Sequence, residues 1–481
     1  MFSLSALKYH KKYRAVFILT ALSLFTLFNS FVFSDIYFKN TDFELEVIRL
    51  KGEKPGPTLL IFGGIHGDEE GGYSAAEVLS EIKILNGKLI IVPRVNFPGI
   101  MQYKREIYGD MNRKFTKKEY PNDPDHKLIV ILKKLISEAD IFINQHDAFG
   151  FHRNKYISKG YNPFRYGQCL IVDTGNIFSQ KFNKKLDINA IGKRIIENVN
   201  KEIKNPKHRF AFWNQNSIDI NTSFKDMQKS ATYFAVTRFS IPAFGLETSK
   251  NLPNSVLKIK YQLLVITKLM DEFGFKYTLP TNIFTKPVLY WVEFIKTSKK
   301  NTQSIIRVNS STNIRMEKGE KIRVSKIKSN YKVGLSFDIL DWQDKNDFNN
   351  EYTFTKERTA FIRKNQKFIG KVRFKKYNKN SIRKITLRIN NSELSIPNWG
   401  LIKLKKTDKF EILYCDNQNT KYKFDIRGFN KVKNKKDDSH TLISYMNLIK
   451  KHSFRKEGKI YFVKIYNNKS IIGGFQIEFN T

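Results

Sequence analysis

The stretch Leu59-Leu60-Ile61-Phe62-Gly63-Gly64-Ile65-His66-Gly67-Asp68-Glu69 decides the reading of this chain. Its first four residues form a short apolar run of the kind that makes a buried strand. Two glycines then allow a sharp turn, and the turn sets an imidazole, His66, three residues before a carboxylate, Glu69. Nitrogen and oxygen donors at that spacing on a rigid turn suit a borderline-soft ion such as zinc. A catalytic zinc takes a third protein ligand and keeps one position open for water. His146, at the end of a second apolar run, Ile141-Phe142-Ile143-Asn144-Gln145, is the candidate third ligand. A His-x-x-Glu recurs by chance in many chains, so the rest of the sequence has to be weighed with it.

Two further segments add weight: Gly109-Asp110-Met111-Asn112-Arg113-Lys114-Phe115 and Pro242-Ala243-Phe244-Gly245-Leu246-Glu247-Thr248. In order and separation, His66-x-x-Glu69, Asn112-Arg113, His146 and Glu247 resemble the zinc carboxypeptidases of the carboxypeptidase A type, over residues 55–275. The resemblance implies an α/β fold, a mixed eight-stranded sheet flanked by helices. It implies one zinc ion held by His66, Glu69 and His146, with Glu247 as catalytic base. It assigns Arg113, with Asn112 beside it, to the substrate's terminal carboxylate, and Arg105 to the scissile carbonyl. Tyr233, by its position before Glu247, is the candidate for the family's tyrosine near the leaving group; in a chain with 22 tyrosines, core packing is the competing role.

The residue types suit this chemistry. Zinc polarises a carbonyl and brings the pKa of its bound water towards ~7. A nearby carboxylate can take that water's proton and pass it to a leaving amine. Arginine is the side chain best shaped to grip a free carboxylate, because its planar fork makes two charge-assisted bonds. Against this, most of the 85 lysines and arginines are expected to be solvated surface charge. His152, soon after His146, is a pocket-lining candidate rather than a ligand, and His126 falls in the first turn of a helix.

The N-terminus divides cleanly. Lys8, His10, Lys11, Lys12 and Arg14 make a basic start, and Ala15 to Phe33 is uncharged and mostly apolar. The first 35 residues read as a secretory signal cleaved near Ser34 or as an uncleaved membrane anchor, so the body is expected in the periplasm, with inner-membrane association if the anchor stays. Two cysteines, Cys169 and Cys415, exclude a disulfide framework, and Cys169 reads as a packing residue. A formal charge of +40 suggests anionic surroundings. Nucleic acid conflicts with export, which leaves a solvated basic face or weak attraction to membrane or cell wall.

Strand and helix signals alternate over 36–278. A strand is expected at Lys88–Asn96, a helix from about Pro124, which Asp123 would cap, a strand at Asp140–His146, an amphipathic helix from Leu186 to Ile203, a strand at Ile241–Glu247 and a helix at Ser255–Phe273. Such alternation implies a sheet covered on both faces, with the site at strand ends. After Pro280 short alternating runs predict two β-rich domains of barrel or sandwich type, 279–380 and 381–481, with one helix near Leu442–Lys451.

This layout is similar to that of the periplasmic murein-peptide carboxypeptidases that set helical cell shape in Campylobacter and Helicobacter relatives, a likeness supported by Asp110–Phe115 and by Gln145-His146-Asp147-Ala148-Phe149-Gly150-Phe151-His152. That resemblance implies removal of meso-diaminopimelate from the stem tripeptide L-Ala-γ-D-Glu-meso-diaminopimelate, leaving a dipeptide, with peptidoglycan stem peptides as partners. Two alternatives stay open: a zinc deacylase of the aspartoacylase or succinylglutamate desuccinylase kind, and a wall-binding scaffold without activity.

Overall fold

A computed structural model describes residues 31–116, 118–280, 286–339, 345–378, 381–417, 422–429, 437–468 and 470–480. The basic start and most of the apolar N-terminal run lie outside the described residues. Among the described residues no helix is long and apolar enough to cross a membrane. The chain divides into two compact units: Phe43–Thr285 together with the residues up to Lys39, and Lys286–Thr481 together with Asn40–Asp42.

The first unit is built on strands β1 (Phe31–Tyr37), β2 (Leu45–Lys51), β3 (Lys54–Gly63), β4 (Asn86–Val92), β5 (Ile141–Ala148), β6 (Cys169–Val172), β7 (Ala211–Asn214) and β8 (Ala243–Ser249). They form one eight-stranded sheet in the order β1-β2-β4-β3-β5-β8-β6-β7. The pairs β4–β3, β3–β5, β5–β8 and β7–β6 are parallel, whereas β1–β2, β2–β4 and β8–β6 are antiparallel. The mixed α/β architecture implied by the sequence is therefore the one observed. The apolar runs Leu59–Phe62 and Ile141–Ile143 are buried on both faces, as expected of central strands with helices on each side.

Helices α1 (Glu70–Leu79), α2 (Phe97–Gln102), α3 (His126–Glu138), α4 (Ile188–Glu202), α5 (Ala231–Phe239) and α6 (Ser255–Glu272) complete the unit. Residues of α1, α4 and α6 share one core with one set of strand side chains, and α3 and α5 share the other. Sequence signals at the helix starts are satisfied locally: Asp187 accepts from the Ala190 amide and Asn254 from the Leu257 amide, both at 2.9 Å, which satisfies amides left without an intrahelical partner.

Two expectations shift. The helix expected from Pro124 starts at His126, with Asp125 before it. Asp123 instead accepts from the Asp125 amide, and both acids reach Lys114 Nζ at 2.8 Å. Ser34, the expected cleavage point, lies in β1 opposite Ile48. The helix near Leu442–Lys451 is absent: Ile443–Ser444 pairs with Lys409–Phe410, and short 3-10 turns follow at Tyr445–Asn447 and Lys450–His452. Ile443 is fully buried while Leu442 and Met446 face solvent, so the apolar residues share no helical stripe.

Among its described residues the second unit holds four four-stranded sheets. Two, from strands within Leu289–Lys376, enclose a core that includes Val292, Phe294, Val324 and Phe374. The other two, from strands within Lys384–Asn480, enclose a second core around Leu387, Phe410, Tyr461 and Phe475.

Candidate metal centre and catalytic site

The carboxyl ends of β3, β5 and β8 lie side by side in the middle of the sheet. The register pairs Gly63 with Gln145 and Glu247 with His146, so three central strands deliver their terminal residues to one place. Glycine chemistry shapes the loop after β3. Gly64 adopts φ +71°, and a Cβ at Gly67 would sit 1.9 Å from the Gly99 carbonyl carbon at α2. Only glycine fits both demands. The loop thereby brings His66 in under α2 and Glu69 to the start of α1.

His66, Glu69 and His146 converge. His66 Nδ1 and His146 Nδ1 each lie 2.9 Å from a Glu69 oxygen and 3.1 Å from one another. All three side chains are buried, and one ligand atom of each falls within 4.8 Å of the others. Donors bound tetrahedrally at ~2.0–2.1 Å from a common ion are about 3.3 Å apart, so this spacing needs little adjustment. The second nitrogen of His66, Nε2, lies 3.0 Å from Asp110 Oδ1. That contact favours the tautomer protonated at Nε2 and leaves the Nδ1 lone pair facing Glu69 and His146, as a carboxylate behind a metal-bound histidine does. Buried donors with more lone pairs than protons between them fit a cation, and metal binding is the chemistry this arrangement can perform.

The local electrostatics follow from burial and neighbours. At His66 burial works against the charged ring, but Glu69 and Asp110 outweigh it and the pKa rises. At His146 burial dominates and the pKa falls, which keeps its lone pair available. Glu69 is buried too, yet the two imidazoles hold its carboxyl well below the usual range. Glu247 is the opposite case. Burial, then the charges of Glu69 and Asp147, push its carboxyl well above the usual range, and its Oε2 is enclosed without a hydrogen-bond partner.

The arginines divide in role. Arg105 reaches the cluster, donating to Glu69 Oε1 at 3.0 Å and to Asp110 Oδ2 at 3.2 Å. Arg113 is half-buried, donates to the Asn112 carbonyl and lies against Met227 Sδ, and among the described residues no carboxylate pairs with it. Asn112 is buried and its Oδ1 accepts from the Ala231 amide at the start of α5, so it ties the arginine loop to that helix. Tyr233 is not brought into the cluster: it is half-buried on α5, its amide bonded to Ser230 Oγ. His152 is buried in a stack with Trp213 and Tyr166, at 5.3 and 6.2 Å between ring centres. Cys169 is buried opposite Glu247 in register.

Sequence reasoning assigned no role to Asp110. Its carboxylate touches His66, Arg105 and the Asn112 amide at once, and its pKa is lowered, burial being outweighed by those partners. An acid two residues before Asn-Arg was visible in the sequence, but its reach across 44 positions to His66 was not.

Fold and site together define a metallo-carboxypeptidase. A family model described as the catalytic part of the carboxypeptidase controlling helical cell shape matches residues 24–289, and a second, the C-terminal domain of metallo-carboxypeptidase, matches 378–480. The chain belongs to this carboxypeptidase family. Among solved structures it is similar to the apo cell shape determinant protein Csd4 from Helicobacter pylori, with 22% identity, TM-score 0.56, 91% of this chain and 100% of that one covered. The mDAP-bound form of the Helicobacter pylori protein, described as a D,L-carboxypeptidase, matches at 23% identity and TM-score 0.55, covering 88% and 97%. A curated relative, the N-alpha-acetyl-L-2,4-diaminobutyric acid deacetylase of Halomonas elongata, is 32% identical over 104 residues, 19% of this chain. The chain spans only 29% of that relative's length.

Proposed function

We propose that this protein is a zinc-dependent carboxypeptidase of peptidoglycan stem peptides. In this reading it acts in the periplasm, removes meso-diaminopimelate from L-Ala-γ-D-Glu-meso-diaminopimelate to leave a dipeptide, and so affects cell shape. The observation that carries it is the buried convergence of His66, Glu69 and His146 beside the partnerless Glu247. The likeness in fold to a protein whose structures include tripeptide-bound and mDAP-bound forms supports the choice of substrate.

Zinc held by the three ligands would supply Lewis acidity and a water acidic enough to ionise near neutral pH. The chain's own residues do the rest. Glu247 accepts the proton of the attacking water and returns it to the leaving amine of diaminopimelate. Its enclosed Oε2 raises proton affinity enough to hold the proton between those steps. Arg113, free of any acid partner, receives the terminal carboxylate, and the Asn112 contact to α5 keeps that arginine in place. Arg105 stands beside Glu69 and can turn to the carbonyl oxygen as charge develops there. Asp110 orients both His66 and Arg105.

The test is hydrolysis of purified tripeptide and tetrapeptide muropeptides, followed by mass spectrometry with and without chelator. Release of diaminopimelate from the tripeptide alone, lost on chelation and restored by zinc, is the expected result. No release by zinc-loaded protein would sink the murein reading. Cleavage of small acylated amino acids instead would favour the deacylase alternative.

A further inference from the structure

The second unit carries a cavity of about 680 Å³, the size range of small-molecule sites, and nothing in the peptidase reading uses it. Strands from both β cores wall it in. They are tied together there: the Arg307 amide donates to the Trp399 carbonyl at 2.9 Å, and Gln476 Nε2 reaches the Arg307 carbonyl at 3.3 Å.

Three properties of the lining point to one ligand chemistry. The first is charge: among the described residues four cations line the cavity, Arg307, Arg315, Arg427 and Lys464, and no aspartate or glutamate does. Arg307 is satisfied by Glu293 and Glu478. The other three form no ion pair among the described residues; Arg315 donates only to the Lys376 carbonyl. The second is flat aromatic surface from Tyr290, Trp399, Phe454 and Phe462, where Tyr290 and Phe454 meet edge to face at 5.2 Å. The third is a run of small polar side chains, Asn309 to Asn313, along one wall.

Two strained or unsatisfied groups sit in the same lining. Trp399 holds φ +67°, an outlier for a bulky residue that packing has to enforce, and its indole stays half-buried. Gln476 is 3% exposed, yet its Oε1 has no partner. Backbone strain and orphaned polar atoms concentrate where ligands bind.

We infer that this cavity is a second binding site, for a saccharide chain bearing carboxylates. The C–H face of a pyranose ring packs on the negative face of an aromatic ring. Sugar hydroxyls match Asn, Ser and Thr side chains. The unpaired guanidinium and ammonium groups take the carboxylates. A polyphosphate would use the cations and leave the aromatic wall idle. The site would hold the glycan while the other unit trims peptide; the choice of murein glycan as first probe rests on the function proposed above.

The experiment is calorimetric titration of the full-length, zinc-loaded protein with three oligosaccharides of equal length. They are peptide-free murein glycan carrying free lactyl carboxylates, neutral chitooligosaccharide, and oligogalacturonate. The acidic murein glycan is expected to bind at least about tenfold more tightly than the neutral chain, which corresponds to about 1.4 kcal/mol. Arg427→Glu combined with Lys464→Glu is expected to lower that affinity by at least tenfold and leave kcat/KM on free tripeptide unchanged. Trp399→Gly, which relieves the backbone, is expected to weaken acidic and neutral chains alike. Equal binding of galacturonate would support the chemistry and place its source outside murein. Absence of binding by either acidic chain would overturn the inference, and so would binding that the charge reversal leaves intact. Loss of tripeptide hydrolysis with glycan binding retained would sink the proposed reaction alone.

Discussion

In the second unit, buried charges come in matched sets: Arg363 donates to Asp338 at 2.8 Å, Lys296 meets Glu320 at 2.7 Å, and Arg307 lies between Glu293 and Glu478 at 2.6 and 3.1 Å. The cluster at the ends of β5 and β8 is arranged otherwise, although elsewhere in that unit buried Arg94 is matched by Glu46 and Glu77. Glu69, Glu247 and Asp147 crowd the ends of β5 and β8 with two imidazoles; half-exposed Arg105 reaches Glu69 at 3.0 Å, Lys258 stands 3.9 Å from Asp147, and Lys250 acts on Glu247. These buried sets in the second unit use charge to complete a structure. The peptidase sheet collects charge that only an added cation and a substrate complete, which is how perturbed groups mark functional sites.

The sharpest way to break this contrast is Glu247→Gln. Turnover is expected to fall by about a thousandfold or more, within the range for a lost general base and its associated terms, while metal content by elemental analysis stays at one ion. Thermal stability of the metal-free protein should hold or rise, since an enclosed carboxylate without a partner is removed. A loss of stability with turnover intact would make Glu247 a structural acid and erase the contrast.

Arg363→Met is the mirror experiment. It removes the buried Arg363–Asp338 ion pair and should lower stability by about 3–5 kcal/mol, read by chemical denaturation, with tripeptide turnover per folded molecule unchanged. Asp147 gives the pH version. Burial, opposed by Thr248, Lys258 and the Gly71 amide, pushes its carboxyl up to about 6. Folded protein therefore holds this proton in a window where the unfolded chain has released it. By linkage, stability of the metal-free protein falls as pH rises from about 4 to about 6, and Asp147→Asn should flatten that slope.

Asp110→Asn removes the carboxylate behind His66 and is expected to weaken metal affinity about 10–100-fold, measured by chelator competition. Lower pH should weaken it too, because His66 must lose its proton to bind and its pKa is raised. The smallest effect is chemical. Burial raises both thiols, Cys415 to about 12, so neither should react with a thiol reagent at pH 8 until the chain unfolds. One fast thiol in native protein would show that a core is looser than its packing implies.

The buried cluster His66, Glu69 and His146 was legible because each member stands next to a strong local signal, an apolar run or a glycine turn. Central strands buried on both faces make long apolar runs that few other structures tolerate, so the carboxyl ends of β3 and β5 could be placed within two residues, whereas β3 begins five residues before its apolar run. The region Leu442–Lys451 misled for the converse reason. Its apolar residues are few, and which of them is buried depends on a strand, Lys409–Cys415, some thirty positions away. Tyr233 was picked by its distance from Glu247 along the chain, which says nothing of which face of α5 it occupies.

What the sequence determined by itself is the chemistry: an imidazole and a carboxylate three residues apart, a second imidazole at a strand end, a later glutamate and a loop arginine. Those choices are local, made by residue type and by short-range turn and strand preferences. Tertiary structure alone decided which groups share a charge. The 3.0 Å contact of Asp110 with His66, the solvent-free Oε2 of Glu247, and the cavity in the second unit whose Arg315, Arg427 and Lys464 form no ion pair among the described residues all join residues far apart in the chain. Electrostatic energy depends on distance and burial in space, and neither can be read from position in a sequence.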